Sequence, residues 1–450
     1  MINIEQVGNL CKISYFNQEG DISFKEISLS DDDLFEWSES KIKESNNKTW
    51  NGIKVIKKSK KNLSKYRLFE IINNLDKSIQ DEIFEFNMPK KFFISIKTES
   101  QNGIPSCKNP KEAILTITVL SASTNTIIVL GQKDLSKDAI QSIETKINNY
   151  CKEFNQIYKF KYKKFDSEYD MLYSFFEILC QKMPLITGWN IMEFDWYYLM
   201  MRGKKLGINI NIVSPTKILF DQIKPMHRLV LDYMNLFNMW DTSIKVKENL
   251  TLDWIAKKIL GKGKIKNKLT QTQLYSNDFI NFVFYNIIDT LLVKLIDDKY
   301  DLIRPFLTLA NITKVSYYDS FSMINMVESC CVKQAQKKGF VILPNKKNKK
   351  ETFKGGYIME PIKNLYENIA AFDCRAMYPS IIMQWNISPD TKCSDFDKNC
   401  TKTINGFNFK QNEDGIFKMF IKDIYDQRLE ANKLSIEYRS DIEILKKYIN

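Results

Sequence analysis

The run Ala371-Phe372-Asp373-Cys374-Arg375-Ala376-Met377-Tyr378-Pro379-Ser380-Ile381-Ile382 constrains this chain most, because it sets one carboxylate, one aromatic and a tight turn behind an apolar stretch. The apolar residues from Asn368 to Phe372 predict a buried strand that delivers Asp373 at its end, and Pro379-Ser380 predicts a short helix running toward Gln384. A carboxylate at a strand end suits Mg²⁺, a hard cation that takes oxygen ligands. Two such ions held by shared carboxylates stabilise both the attacking and the leaving oxygen of a phosphoryl transfer, so the run reads as half of a nucleotidyl-transfer site. The competing reading is a core strand and turn with an incidental aspartate.

At 450 residues the chain exceeds one ordinary core, so about two to four domains are expected. Its 66 basic and 54 acidic residues give a net charge of +12, which suits a polyanionic partner bound through counterion release. No apolar run approaches the roughly 20 residues of a membrane span, and no basic segment with an apolar signal core opens the chain. The expectation is a cytoplasmic protein with no membrane partner. Nine cysteines are scattered without a Cys-x-x-Cys pair and His227 is the one histidine, which argues against zinc. Adjacent Cys330 and Cys331 are expected to be reduced packing residues, and His227, in a basic proline-containing connector, a surface residue.

Residues 1–90 read as a small mixed domain, with strand-like runs at Lys12 to Phe16 and Asp21 to Ile27 and a basic run from Lys57 to Lys65 that suits a solvated face. From Lys91 the pattern predicts strands at Phe92 to Lys97, Ala113 to Ser121 and Thr126 to Leu130, the last two joined by a hairpin at Ser123-Thr124-Asn125. Helices are expected at 135–154 and 167–181, strands at Leu185 to Trp189 and Arg228 to Asp232, a helix near Phe194, and long helices at 270–300 and 314–338. Strands interleaved with helices in this order predict an α/β domain with a mixed sheet. A lysine-rich connector, Asn345 to Lys350, reads as a domain boundary, and a helix is expected from Ile421 to the end.

The run at Asp373 resembles motif A of family B DNA polymerases, whose pattern is Asp-x-x-Ser-Leu-Tyr-Pro-Ser-Ile-Ile. Asn386-Ile387-Ser388-Pro389-Asp390-Thr391 after it, and Lys354-Gly355-Gly356-Tyr357 with Glu360-Pro361 before it, resemble the T-even bacteriophage branch. Thr187-Gly188-Trp189-Asn190 leading to Phe194-Asp195 resembles the family's second exonuclease motif, and Tyr285-x-x-x-Asp289 the third. In the family these aspartates bind two metal ions and the tyrosine positions the attacking water. The first exonuclease motif, Asp-Ile-Glu, aligns with Ser95-Ile96-Lys97, so both acids are gone. Sliding by two residues recovers Glu99, and alternation places Ser95, Lys97 and Glu99 on one strand face. A lysine among Asp195 and Asp289 satisfies those charges without metal, so hydrolytic activity is expected to be lost or much weakened. Asp166 reads as an N-cap or surface residue and Asp232 as a structural strand-end residue.

The resemblance implies a ribonuclease H-like exonuclease domain at 91–301, an N-terminal domain at 1–90 with 302–344 packing back on it, a partial palm at 345–420 and the first fingers helix at 421–450. It implies Mg²⁺ held by Asp373 and the Cys374 carbonyl, Ala376 and Met377 N–H groups on the nucleotide phosphates, Tyr378 under the deoxyribose, and Arg428 on the triphosphate. The lysine expected one turn beyond Arg428 falls on Asn432, beside Lys433. Lys354, Gly355, Gly356 and Tyr357 would meet template DNA. The family's Asn-Ser-x-Tyr-Gly and Asp-Thr-Asp-Ser patterns do not occur. The expectation is therefore the N-terminal part of a split DNA-directed DNA polymerase acting on primer-template DNA and deoxynucleotides with a C-terminal polypeptide, a sliding clamp and a single-strand-binding protein as further candidate partners. A non-catalytic DNA- or RNA-binding polymerase remnant is the rival reading; a stand-alone exonuclease is a third, against which Ser95 and Lys97 count.

Overall fold

In the computed structural model the described residues are 2–40, 45–99, 105–219, 221–241, 249–265, 269–343, 356–393, 400–403 and 406–449. They form two compact units, one of Met1–Ser28 with Asp76–Met326 and one of Leu29–Leu75 with Val327–Asn450. Both units are discontinuous in sequence. Residues 1–28 stay with the first because the Tyr15 hydroxyl donates to Glu82 and His227 bonds Ser14.

The first unit carries an antiparallel sheet of Asn3–Val7, Leu10–Phe16 and Ile22–Ser28 and a six-stranded mixed sheet. In spatial order the large sheet runs Leu229–Asp232, Leu185–Gly188, Lys91–Thr98, Ile114–Ser121, Thr126–Gly131, Lys159–Lys164. The first three strands are mutually parallel, the next two pairings antiparallel and the last parallel. Period-two alternation sorts the central strand: Phe93 enters the core under the helices Lys137–Cys151 and Phe279–Tyr300, while Ile94 and Ile96 enter the core beneath Asp195–Lys205. The expected mixed-sheet α/β architecture is thus present, with the Ser123–Asn125 hairpin closed by Asn125 at φ +47°.

Several expectations are corrected. Helix 167–181 is α-helical only over Glu168–Ser174, then widens over Phe175–Leu179 and tightens over Cys180–Lys182. Helix 314–338 starts at Met323, because Lys314 adopts the left-handed region that ends the separate helix Ile303–Thr313. Phe279–Tyr300 is long and apolar enough to cross a membrane by composition, contrary to the sequence reading; it is largely buried inside the unit, which is why it is apolar all round.

In the second unit the strands Phe35–Glu39 and Val55–Ser59 pair antiparallel, and the helix Lys65–Asn73 lies close to the helix reaching Lys337, where Asn73 donates to Gln336 Oε1 at 2.8 Å. Cys330 and Cys331 are free thiols there. The connector 345–350 lies outside the described residues. The strand predicted at Asn368 to Phe372 is not formed: the segment is exposed, Phe372 at 95%, and none of the sheets among the described residues offers it a ladder partner. The final helix runs Ile416–Ile449, five residues earlier than predicted.

His227 is buried, not on the surface, with Nδ1 2.7 Å from Ser14 Oγ and Nε2 3.1 Å from Glu5 Oε1. Burial pushes its pKa below 6.5, outweighing the pull of Glu5. A depressed histidine pKa adds stability that is present above the unfolded value and lost as pH falls below 6.5 toward the folded value. As the chain has one histidine, its ring resonances are unambiguous, and NMR titration should show a neutral imidazole at pH 6.5 with a midpoint below it. A midpoint at or above 6.5 would contradict the burial.

Candidate functional site

The centre of the first unit is where the central strand meets the long helix. Ser95 and Lys97 alternate with Ile94 and Ile96 and so face Phe279–Tyr300, which presents Tyr285, Asn286 and Asp289 within slightly more than one turn. Ser95 Oγ lies 2.8 Å from Asn286 Oδ1 and 2.7 Å from Thr290 Oγ1. Lys97 Nζ donates to Asp289 Oδ2 at 2.5 Å, and both side chains are 14% exposed. Asp195, at the start of its helix, accepts the Ile96 N–H at 2.8 Å. The Lys97 charge is felt by both aspartates.

Lys264 joins them, its Nζ 2.9 Å from Asp289 Oδ1. Nothing in the sequence signalled it, since it lies in an irregular loop and reaches Asp289 only through the tertiary fold. Glu99 lies past a register shift between Lys97 and Thr98, which ends the simple alternation; its charge acts on Tyr275 and Arg202. Tyr285 is half-buried one turn before Asp289. Asn190 takes a left-handed φ of +58° and donates its N–H to Asp232 Oδ1 at 3.1 Å. Asp232 also accepts from Met192, Met234 and Asn235, so it is the strand-end structural residue expected. Asp166 is exposed, and Ser167 takes the N-cap.

Electrostatics divide the two carboxylates. Burial pushes Asp195 up to about 6, against the opposing Ile96 N–H and Lys97. Burial also acts on Asp289, yet the Lys97 and Lys264 ammoniums outweigh it and hold that carboxyl below its ordinary range. A divalent cation between these aspartates would have to displace Lys97, and among the described residues no group of three or more His, Cys, Asp or Glu is placed to hold a metal ion. These residues therefore do not fit the two-metal centre that the motifs imply.

In the second unit, Asp373, Cys374 and Arg375 lie on an exposed segment ahead of the helix Met377–Trp385. Ala376 turns the chain at φ +51°, a conformation that costs a residue with a Cβ on the order of 1–2 kcal/mol. Tyr378 is 73% exposed on the first helical turn. Gly356 and Tyr357 are exposed, Lys354 and Gly355 lie outside the described residues, and Arg428 is exposed on Ile416–Ile449.

The opposed shifts carry opposite signs in stability. Asp195, raised in the fold, contributes stability at low pH that is lost as pH rises through about 6; Asp289, lowered, contributes stability that is lost as pH falls through its folded value. Asp195→Asn should therefore stabilise the protein at pH 8 by on the order of 2 kcal/mol relative to its effect at pH 4, while Asp289→Asn destabilises at pH 8. Denaturant midpoints at the two pH values read both, and equal effects would contradict the geometry.

Comparison with known proteins bears on both units. Residues 33–253 match the model of the DNA polymerase family B exonuclease domain and residues 316–443 that of DNA polymerase family B. The chain is 27% identical over 328 residues to the DNA-directed DNA polymerase of Escherichia phage RB69, covering 65% of this chain and 35% of that protein. It is 26% identical over 320 residues to that of Enterobacteria phage T4, covering 64% and 35%. A DNA polymerase of Archaeoglobus fulgidus is 27% identical over 257 residues, covering 55% and 32%. The chain thus spans about a third of the length of these relatives. Two models of one family, matched in order over a ribonuclease H-like mixed sheet and the motif at Asp373, place the chain in DNA polymerase family B.

Proposed function

We propose that this chain is the N-terminal part of a replicative DNA-directed DNA polymerase that extends a primer 3′ end, acting in the cytoplasm of a bacterial host, with a separate C-terminal polypeptide supplying the second catalytic aspartate. The observation that carries the reading is the Asp373–Tyr378 turn inside the stretch matched to the polymerase family model. Asp373 and the Cys374 carbonyl would hold Mg²⁺, which when bound neutralises phosphate charge and aligns the reacting oxygens. The helix Met377–Trp385 opens without a side-chain cap, and unpaired N–H groups at a helix start suit the β and γ phosphates of a nucleotide. The left-handed Ala376 aims those N–H groups while keeping Asp373 at the surface, and Tyr378 on the same turn offers a ring face to a deoxyribose. Arg428 would bind the triphosphate, and Gly356 and Tyr357, with Lys354 and Gly355, the template.

Support for a completing part comes from apolar side chains left open along one segment: Ile358 is 87%, Leu365 88% and Phe372 95% exposed. Burying each would contribute about 1.5–3 kcal/mol, a strong drive toward a partner that supplies the neighbouring strands. The proofreading activity is lost or much weakened, because Lys97 and Lys264 occupy the charges that metal would need. That loss is also what a non-catalytic, nucleic-acid-binding remnant would show.

Primer extension with Mg²⁺ and four deoxynucleotides separates the readings. The chain mixed with a C-terminal polymerase part carrying the second aspartate should extend, the chain alone should not, and Asp373→Asn should lower the rate at least about 1000-fold. No extension in any mixture, with DNA binding intact, would establish the remnant. Single-stranded DNA should survive incubation with the chain and Mg²⁺ or Mn²⁺; its degradation, removed by Asp195→Ala, would overturn the loss of proofreading.

A further inference from the structure

The loop Asn386–Thr391 is the socket that aims the last helix. Asn386 Oδ1 accepts the Gly415 N–H at 2.8 Å, Asp390 Oδ1 accepts Ile416 N–H at 3.0 Å and Ser388 Oγ accepts Phe417 N–H at 3.1 Å. Three donors at the start of Ile416–Ile449 are thus satisfied by side chains from another segment, in place of a cap of the helix's own. This is why the helix begins five residues before the sequence pattern indicates.

The socket is itself locked. Asn386 is 1% exposed in a left-handed conformation, and its Nδ2 donates to the Lys410 carbonyl and, at 2.7 Å, to that of Glu413. Thr391 Oγ1 donates to the Asn386 carbonyl at 2.6 Å. Lys338 Nζ reaches Asp390 Oδ2 at 2.7 Å and the Asp414 carbonyl at 2.8 Å. A Cβ on Gly415 would lie 2.5 Å from that of Ser388, so the backbones meet as closely as glycine permits.

Beyond Tyr425 the helix side chains described, through Glu443, are all exposed. Its direction is therefore fixed only in its first turns. Arg428 stands twelve residues past Ile416, about 18 Å along the axis, so a tilt of about 10° at the socket moves it by about 3 Å. A charge-assisted hydrogen bond from guanidinium to phosphate spans only about 2.7–2.9 Å, so a displacement of that size breaks the contact and weakens nucleotide binding.

We infer that Asn386, Ser388 and Asp390 are positioning residues for nucleotide binding, acting through the orientation of Arg428; this rests on the polymerase reading above. The test uses Asn386→Ala, Arg428→Ala and the double variant in the full chain. Amide exchange at Gly415–Phe417 should speed at least about tenfold in Asn386→Ala. In the complemented polymerase, each single variant should raise the KM for deoxynucleotide by roughly tenfold, with kcat and primer-template affinity little changed, and the double variant should be no worse than either single. Faster exchange with an unchanged KM, or additive KM effects, would overturn the inference and leave the loop a structural cap.

Binding of Mg²⁺-dATP to the chain, read by equilibrium dialysis, supplies a measurement that needs no turnover. Weakening by Arg428→Ala and equally by Asn386→Ala supports the positioning role even if no mixture extends a primer, an outcome that would count against the polymerase reading alone. Weakening by Arg428→Ala only, or by neither, overturns it.

Discussion

A lysine ammonium held beside two carboxylates ties the central strand of the mixed sheet to the long buried helix, and the character of the first unit follows from it. Lys97 pairs with Asp289, and its charge also reaches Asp195. Removing one partner of a buried pair costs about 3–5 kcal/mol, because the other charge is left without compensation. Without the two ammoniums, the paired carboxylates would attract a cation. Here protein groups hold that charge, Lys97 on one oxygen of Asp289 and Lys264 on the other.

The second unit follows another logic. Besides the apolar core around Phe35, Val55, Ile72 and Ala335, it has a polar junction where the loop Asn386–Thr391 receives the start of Ile416–Ile449, with buried Asn386, Ser388 and Thr391, and Asp390 beside them, all hydrogen-bonded. Away from that junction, the segment through Phe372 and most of the helix lie open. Charged and polar groups stay where water reaches them unless hydrogen bonds satisfy them on burial, and that contrast separates the locked socket from the exposed Asp373 turn. A site built on such a turn depends on whatever else covers it.

Much of the first unit was legible because its signals are local. Strands 91–98, 114–121 and 126–131 announce themselves by apolar, β-branched runs with a hairpin between, and Tyr285 and Asp289 by their helical spacing. Lys97 was legible as a departure from a motif. Lys264 was not, nor the burial of His227, since each depends on chain segments far away in sequence. The strand expected at 368–372 misled for the same reason: an apolar run predicts burial only if some element stands beside it.

The sequence by itself determined the family and the mixed α/β architecture, and it put Lys97 on the central strand where the resembled motif carries an acid. Only the tertiary structure decided that two lysines close on Asp289, that Asn386, Ser388 and Asp390 receive a helix start, and that Asp373 lies exposed. The physical reason is that periodicity and motif spacing encode which face a side chain takes, whereas ion pairing and capping depend on which distant segment arrives there.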